Sequence, residues 1–294
     1  MDTACLDYRL TEEERAGFER DGYLVVENVL PPEMIEALTV RVDRLDAQYR
    51  TVMGLGPHEV LELIDFVGKD DLFLELLDWP KTFAKVWEIL GWHIQLYHSH
   101  MNITPPVASS ERGRRQRLGW HQDSGRLNID LEGSYRPRIS LKVGYFLTDT
   151  VDEGRGNFYV VPGTHRQNEL DLPADGVADP AGALALRIKA GSALFFDRRL
   201  FHAASPNYSD IARKVVFYGY SYRWLKPRDN MTVDHVMHRC SPIRQQLLGA
   251  PTTPVSRWGN RGGDSGSGFT SPNEEDVPLR IWIREHLGEA AIVP

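Results

Sequence analysis

The chain has 294 residues, of which 41% are hydrophobic and 26% charged, with a formal charge of −7. This is the composition of a folded globular protein, and it carries no general attraction for nucleic acid or an anionic membrane surface. Two cysteines, Cys5 and Cys240, exclude a disulfide scaffold and a thiolate metal cluster. No run approaches the roughly 18 uninterrupted apolar residues of a membrane span, and the acidic opening MDTACLDYRLTEEERAG is unlike a signal peptide. A cytoplasmic protein without nucleic-acid or membrane partners is expected.

In chain order, Thr11 followed by Glu14 reads as a capping box at a helix start. Gly22 should end that helix, and YLVVENV then reads as a strand. Beyond Pro31 and Pro32 the apolar residues Ile35, Leu38, Val42, Leu45 and Tyr49 recur at helical intervals. A further helical face carries Phe83, Val86, Trp87 and Leu90. The first third therefore reads as helical support.

From about residue 92 the texture changes. HIQLYHSHMNI, RISLKVGYFL, GNFYVVPG, ALALRI, SALFFD and KVVFYGYSY are short strand-like runs separated by Gly, Pro, Asn and Asp. Strands without regular helical crossovers point to a sandwich or jelly roll. Four arginines crowd ERGRRQR (Arg112, Arg114, Arg115, Arg117), read as a solvated loop or as an anion contact. The glycine-rich WGNRGGDSGSG reads as a loop, followed by a final helix beginning near Pro278 and carrying Leu279, Trp282, Ile283 and Leu287.

Chemistry enters at GWHQDSGR. In an extended segment His121 and Asp123 point the same way, because side chains repeat direction every second residue. A divalent metal needs a further ligand, and downstream stand His165, His202 and His235. His202 follows the strand-like AGSALFFD, which can carry it to the mouth of the same β layer. Two imidazoles and a carboxylate leave coordination positions open, as in non-heme Fe(II) oxygenases. The same donors could also hold zinc for water activation. Arg213, inside the strand-like ARKVVFYGY, would need an anion if buried. Either a protein carboxylate or the distal carboxylate of a chelating dicarboxylate would serve.

WHQD, GNFYVVPGTHRQ and AGSALFFDRRLFHAASPNYSDIARKVVFYGYSYRW, with the opening GFERDGYLVVENVL, resemble the phytanoyl-CoA dioxygenase family of iron and 2-oxoglutarate oxygenases over roughly residues 11 to 225. The resemblance implies a mainly β fold with supporting α-helices, a double-stranded β-helix (a cupin-like jelly roll). A single oxygenase domain over 1–294 is expected. It would have helical support over about 11–90, a β-helix core over about 92–225, and a C-terminal loop and helix extension over about 226–294.

The resemblance also implies Fe(II) held by His121, Asp123 and His202, with 2-oxoglutarate and dioxygen as cosubstrates. Arg213 would anchor 2-oxoglutarate, and Asn102 in SHMNITPP would donate a hydrogen bond on the cosubstrate side. His165, in the turn VPGTHRQN, is expected to be structural. Related halogenases have a small residue at the carboxylate position, so Asp123 favours oxygen transfer. Hydroxylation of a C–H bond of a small organic metabolite, with release of succinate and CO2, is the expected reaction. Desaturation, cyclisation or epimerisation is the alternative on the same site, and a non-catalytic metabolite-binding jelly roll the alternative without chemistry. Gln122, Ser124, Arg126, Arg223 and Trp224 are candidate substrate contacts, with Lys226 and Arg228 among the flanking basic residues.

Overall fold

A computed structural model describes residues 1–113, 116–131, 133, 136–250 and 277–292. Arg114, Arg115 and the WGNRGGDSGSG tract lie outside the described residues.

Helix α1 (Glu12–Asp21) begins as its sequence dictates. Thr11 Oγ1 accepts from Glu14 N–H at 3.1 Å, and the Glu14 carboxylate accepts from Thr11 N–H at 2.9 Å. Gly22 ends the helix at φ 82°, a left-handed conformation that favours glycine. Strand β1 (Tyr23–Val26) is shorter than the YLVVENV run, because Asn28 turns the chain at φ 57°. Helices α2 (Pro32–Met53), α3 (Asp71–Glu75) and α4 (Pro80–Leu90) follow, with β2 (Leu61–Ile64) between α2 and α3. The remaining strands are β3 (Ile94–Thr104), β4 (Ser140–Phe146), β5 (Phe158–Val160), β6 (Leu184–Ala185), β7 (Ala193–Asp197), β8 (His202–Ala204) and β9 (Arg213–Tyr222). Short helices α5 (Gly125–Asp130), α6 (Asp234–Met237) and α7 (Pro242–Leu247) and the closing α8 (Pro278–Leu287) complete the described elements. None of these helices is long and apolar enough to cross a membrane.

The strands form a six-stranded antiparallel sheet, ordered β1-β7-β4-β9-β3-β2, and a three-stranded one, β6-β5-β8. The N-terminal third is thus more than helical support. It supplies both edge strands of the large sheet, β1 and β2.

Alternation along the central strands sorts the side chains. Leu141, Val143, Tyr145, Phe195, Val216 and Tyr218 pack under the helices with Leu38, Phe73 and Phe83. Phe146, Leu194, Phe196, Val215 and Phe217 pack instead with Phe158 and Val160 of the small sheet. The buried tyrosine hydroxyls tie the large sheet to its helices: Tyr218 donates to Phe73 O and Tyr220 to Leu77 O, both at 2.8 Å.

One strand breaks its own alternation. In β3, Ile94 and Leu96 belong to the helix-covered core, and so do Met101 and Ile103, which are of opposite parity. The pairing with β9 slips between Leu96↔Tyr220 and His98↔Gly219. This β-bulge at Tyr97 reverses the facing of everything after it, and His98, His100 and Asn102 come to line the cavity between the sheets.

Gly144 of β4 pairs with Phe217 of β9. A Cβ at Gly144 would stand 2.5 Å from Phe217 Cε1, so the glycine makes room for that ring. Gly144→Ala should therefore lower stability by about 1–3 kcal/mol in chemical denaturation. Gly17→Ala on α1, where the added methyl meets only Arg20 Nη2 at 4.0 Å, should leave stability unchanged or raise it. Equal effects would show that Phe217 is free to move.

Candidate active site

His121 and His202 face each other across two reciprocal backbone hydrogen bonds, His121 N–H to His202 O and the reverse, each 3.0 Å. Their ring centroids are 4.3 Å apart. Each Nδ1 lies 2.8 Å from the carbonyl oxygen two residues earlier, Gly119 for His121 and Leu200 for His202. A carbonyl only accepts, so Nδ1 carries the proton in both rings and Nε2 keeps its lone pair. That is the tautomer a metal requires.

Asp123 is set by its own backbone. Its N–H donates to Arg198 O at 2.8 Å, and its carbonyl accepts from Asn128 Nδ2 at 2.9 Å. Ser124, at φ 62°, then turns the chain into α5. One ligand atom from each of His121, Asp123 and His202 falls within 4.8 Å of the others. His165 and His235 are elsewhere. His165 is buried beneath Gly22, and His235 Nε2 stands 2.9 Å from Gly68 O.

The electrostatics suit a cation. Burial lowers the His202 imidazole to about 4, against an opposing pull from Asp123, so the ring is neutral near pH 7. Burial would raise the Asp123 carboxyl, but the Lys142 ammonium and then His202 outweigh it and hold it below its ordinary range. Lys142 Nζ is 2.9 Å from Asp123 Oδ2, an ion pair without good hydrogen-bond geometry. The rings of Phe158 and Phe196 lie 5.1 and 5.0 Å from that of His202 and give its surroundings an apolar wall.

A cavity of about 640 Å³ opens from this cluster and reaches Arg213. Arg213 is buried, and burial alone lowers its guanidinium to about 10, still a cation at neutral pH. Nη1 donates to Asn102 Oδ1 at 2.9 Å, while Nε and Nη2 are buried without hydrogen-bond partners. No carboxylate among the described residues pairs with it, so a ligand carboxylate fits the unmet donors. Gly156, at φ 70°, leaves room for the Arg213 stem, since a Cβ there would stand 3.0 Å from Cδ.

Asn102, the expected donor to the cosubstrate, lies at this end of the cavity and is held by protein partners. Its oxygen accepts from Arg213, and its Nδ2 donates to Glu62 Oε1 at 3.2 Å. The reason is chemical: a guanidinium only donates, so the amide must turn its oxygen inward. Gln122 and Arg126 also line the cavity. The Gln122 amide donates to Gln167 O and Arg199 O and accepts from Arg136 Nη1 at 2.7 Å. Arg126 is exposed at the rim, 2.7 Å from Asp130. Arg223 and Trp224 are not among the lining residues. Arg223 donates to Gln246 O and Ala250 O, joining β9 to α7, and Trp224 is exposed and stacked on Tyr222. Arg117 is spent on Pro173 O and Ala178 O.

Sequence reasoning passed over Lys142, His98, His100 and Glu62, all of which line the cavity. A lysine between Leu141 and Val143 in a run of apolar residues was a readable anomaly. His98 and His100 share period-two spacing with Asn102, though that spacing could not say which face they take.

The family model described as phytanoyl-CoA dioxygenase (PhyH) matches residues 18–215. An ectoine dioxygenase of Bordetella parapertussis is 25% identical over 241 residues, covering 72% of this chain and 75% of its own. Crystal structures of HygX from Streptomyces hygroscopicus with nickel and 2-oxoglutarate bound (18% identity, TM-score 0.55, 74% of this chain and 89% of that one) and of EctD from S. alaskensis with bound Fe (21%, 0.56, 74% and 79%) share the fold. The fold is therefore the expected double-stranded β-helix.

A guanidinium buried without an anion adds nothing to stability that an apolar side chain of similar volume would not. Arg213→Met should keep stability within about 1 kcal/mol of the parent in chemical denaturation. A loss well above that would mean protein contacts, rather than a ligand, account for the burial.

Proposed function

The chain belongs to the phytanoyl-CoA dioxygenase family, a family of Fe(II)- and 2-oxoglutarate-dependent oxygenases, and from that premise we propose that it hydroxylates a C–H bond of a small organic metabolite. The observation that carries this reading is one cavity holding two Nε2 lone pairs, a carboxylate and, apart from them, a buried arginine without an anion. The names of the relatives support it, an ectoine dioxygenase in sequence and a 2-oxoglutarate complex in structure. At 25% identity the relative's substrate does not carry over.

In this reading His121, Asp123 and His202 hold Fe(II), and Arg213 takes the distal carboxylate of 2-oxoglutarate. When bound, iron with 2-oxoglutarate supplies activation of dioxygen, coupled to decarboxylation of the cosubstrate to succinate. The protein's own part is orientation and charge. The Gly119 and Leu200 carbonyls fix both imidazole tautomers. Lys142 keeps Asp123 ionised. Asn102, itself braced by Glu62, aims the Arg213 fork. Phe158 and Phe196 keep water from the His202 side. A zinc hydrolase would have no use for the anion-free Arg213, and the retained Asp123 favours oxygen transfer.

Fe(II) added without oxygen, followed by 2-oxoglutarate, should give a weak visible metal-to-ligand charge-transfer band. Folded, iron-loaded protein lacking that band would sink the proposal. His121→Ala and His202→Ala should each cut iron content from about one ion per chain to near zero with an unchanged circular dichroism spectrum. Arg213→Ala should instead raise the 2-oxoglutarate concentration needed at least about tenfold at normal iron content. A metabolite screen reading substrate-stimulated succinate should yield a product heavier by one oxygen, whereas loss of two hydrogens would indicate desaturation or ring closure.

A further inference from the structure

We propose that the cavity wall formed by His98 and His100 on β3 and by Arg228 beyond β9 is a subsite for an oxyanion, a carboxylate or phosphoryl group, carried by the organic substrate. This deepens the oxygenase reading and rests on it, since that reading commits Arg213 to the cosubstrate.

His98 is buried, and its Nδ1 lies 2.6 Å from Asp229 Oδ1. The other oxygen of Asp229 accepts from Ser99 N–H at 2.6 Å and Ser99 Oγ–H at 2.8 Å. A carboxylate so surrounded by donors fixes the His98 ring with the Nδ1 proton toward Asp229 and leaves Nε2 as its free polar atom, a donor to an oxyanion when the ring is doubly protonated. His100 is stacked between His98 and Phe217, with centroids 5.0 and 4.6 Å away. Its Nδ1 is buried without a hydrogen-bond partner, which is costly unless a ligand supplies one.

Arg228 N–H donates to Tyr97 O at 2.8 Å, so the β-bulge of β3 pins this residue at the cavity. Its exposed guanidinium has no ion pair or hydrogen bond among the described residues. The charges nearby agree. Burial first, and then Lys142, His98 and Arg228, hold the His100 imidazole well below its ordinary range, with Asp123 the opposing acid. Lys142 is already paired to Asp123, leaving Arg228 as the cation available to an anion. Arg228 and Asp229 lie past residue 215, where the family match ends, while His98 and His100 lie within it.

The test is calorimetric titration of inorganic phosphate and of acetate into oxygen-free protein loaded with Fe(II) and saturating 2-oxoglutarate. Binding should weaken at least about tenfold in Arg228→Gln, a change of about 1.4 kcal/mol, and in His98→Gln, and recover in part in Arg228→Lys. The tighter of the two anions names the group. Equal affinity in the parent and Arg228→Gln, or anion binding abolished by saturating 2-oxoglutarate, would overturn the subsite while the charge-transfer band leaves the oxygenase reading standing. Loss of that band in the parent would remove the reading and the substrate assignment with it.

Discussion

Two backbone hydrogen bonds between His121 and His202 bring together segments far apart in sequence, and the site depends on them. They set the distance between the rings, while the carbonyls two residues upstream of each set the tautomers. Neither effect uses the functional atoms, so Nε2 of each ring stays available. The third partner is bound in by the same means, through Asp123 N–H to Arg198 O. Backbone geometry thus builds the cluster, and rigid support of this kind is what metal chemistry requires.

Around that cluster the interior departs from the rule that buried charges are paired. Lys142 and Arg213 both face the cavity from strands that are largely apolar. Lys142 finds Asp123, while Arg213 meets the neutral oxygen of Asn102 and the face of Phe146 but no carboxylate among the described residues. Sites where local consistency fails are where ligands are expected. The glycines serve the same end: Gly144 and Gly156 give up side chains so that Phe217 and Arg213 can lie close to backbone.

Much of the frame was legible in the sequence because it rests on local rules. Thr11 and Glu14 marked a helix start, Gly22 its end, and Ile35 to Tyr49 the face of α2. His121, Asp123, His202 and Arg213 were picked out by residue type, spacing and family resemblance. Strand β2 was not, because LELI shows alternation but is only four residues long. Arg223 and Trp224 were drawn toward the cavity by their chemistry, yet the first is held by the carbonyls of Gln246 and Ala250, contacts that no local pattern encodes.

The sequence by itself determined which donors could meet, since residue chemistry and period-two spacing are local properties. Which face those donors take was decided only in the folded sheet. Counted from Ile94 and Leu96, strict alternation would send His98, His100 and Asn102 under the helices. The bulge at Tyr97 turns them to the cavity instead. A bulge arises from pairing with a partner strand more than a hundred residues away, so its position is a property of the pair β3 and β9 and not of either segment alone.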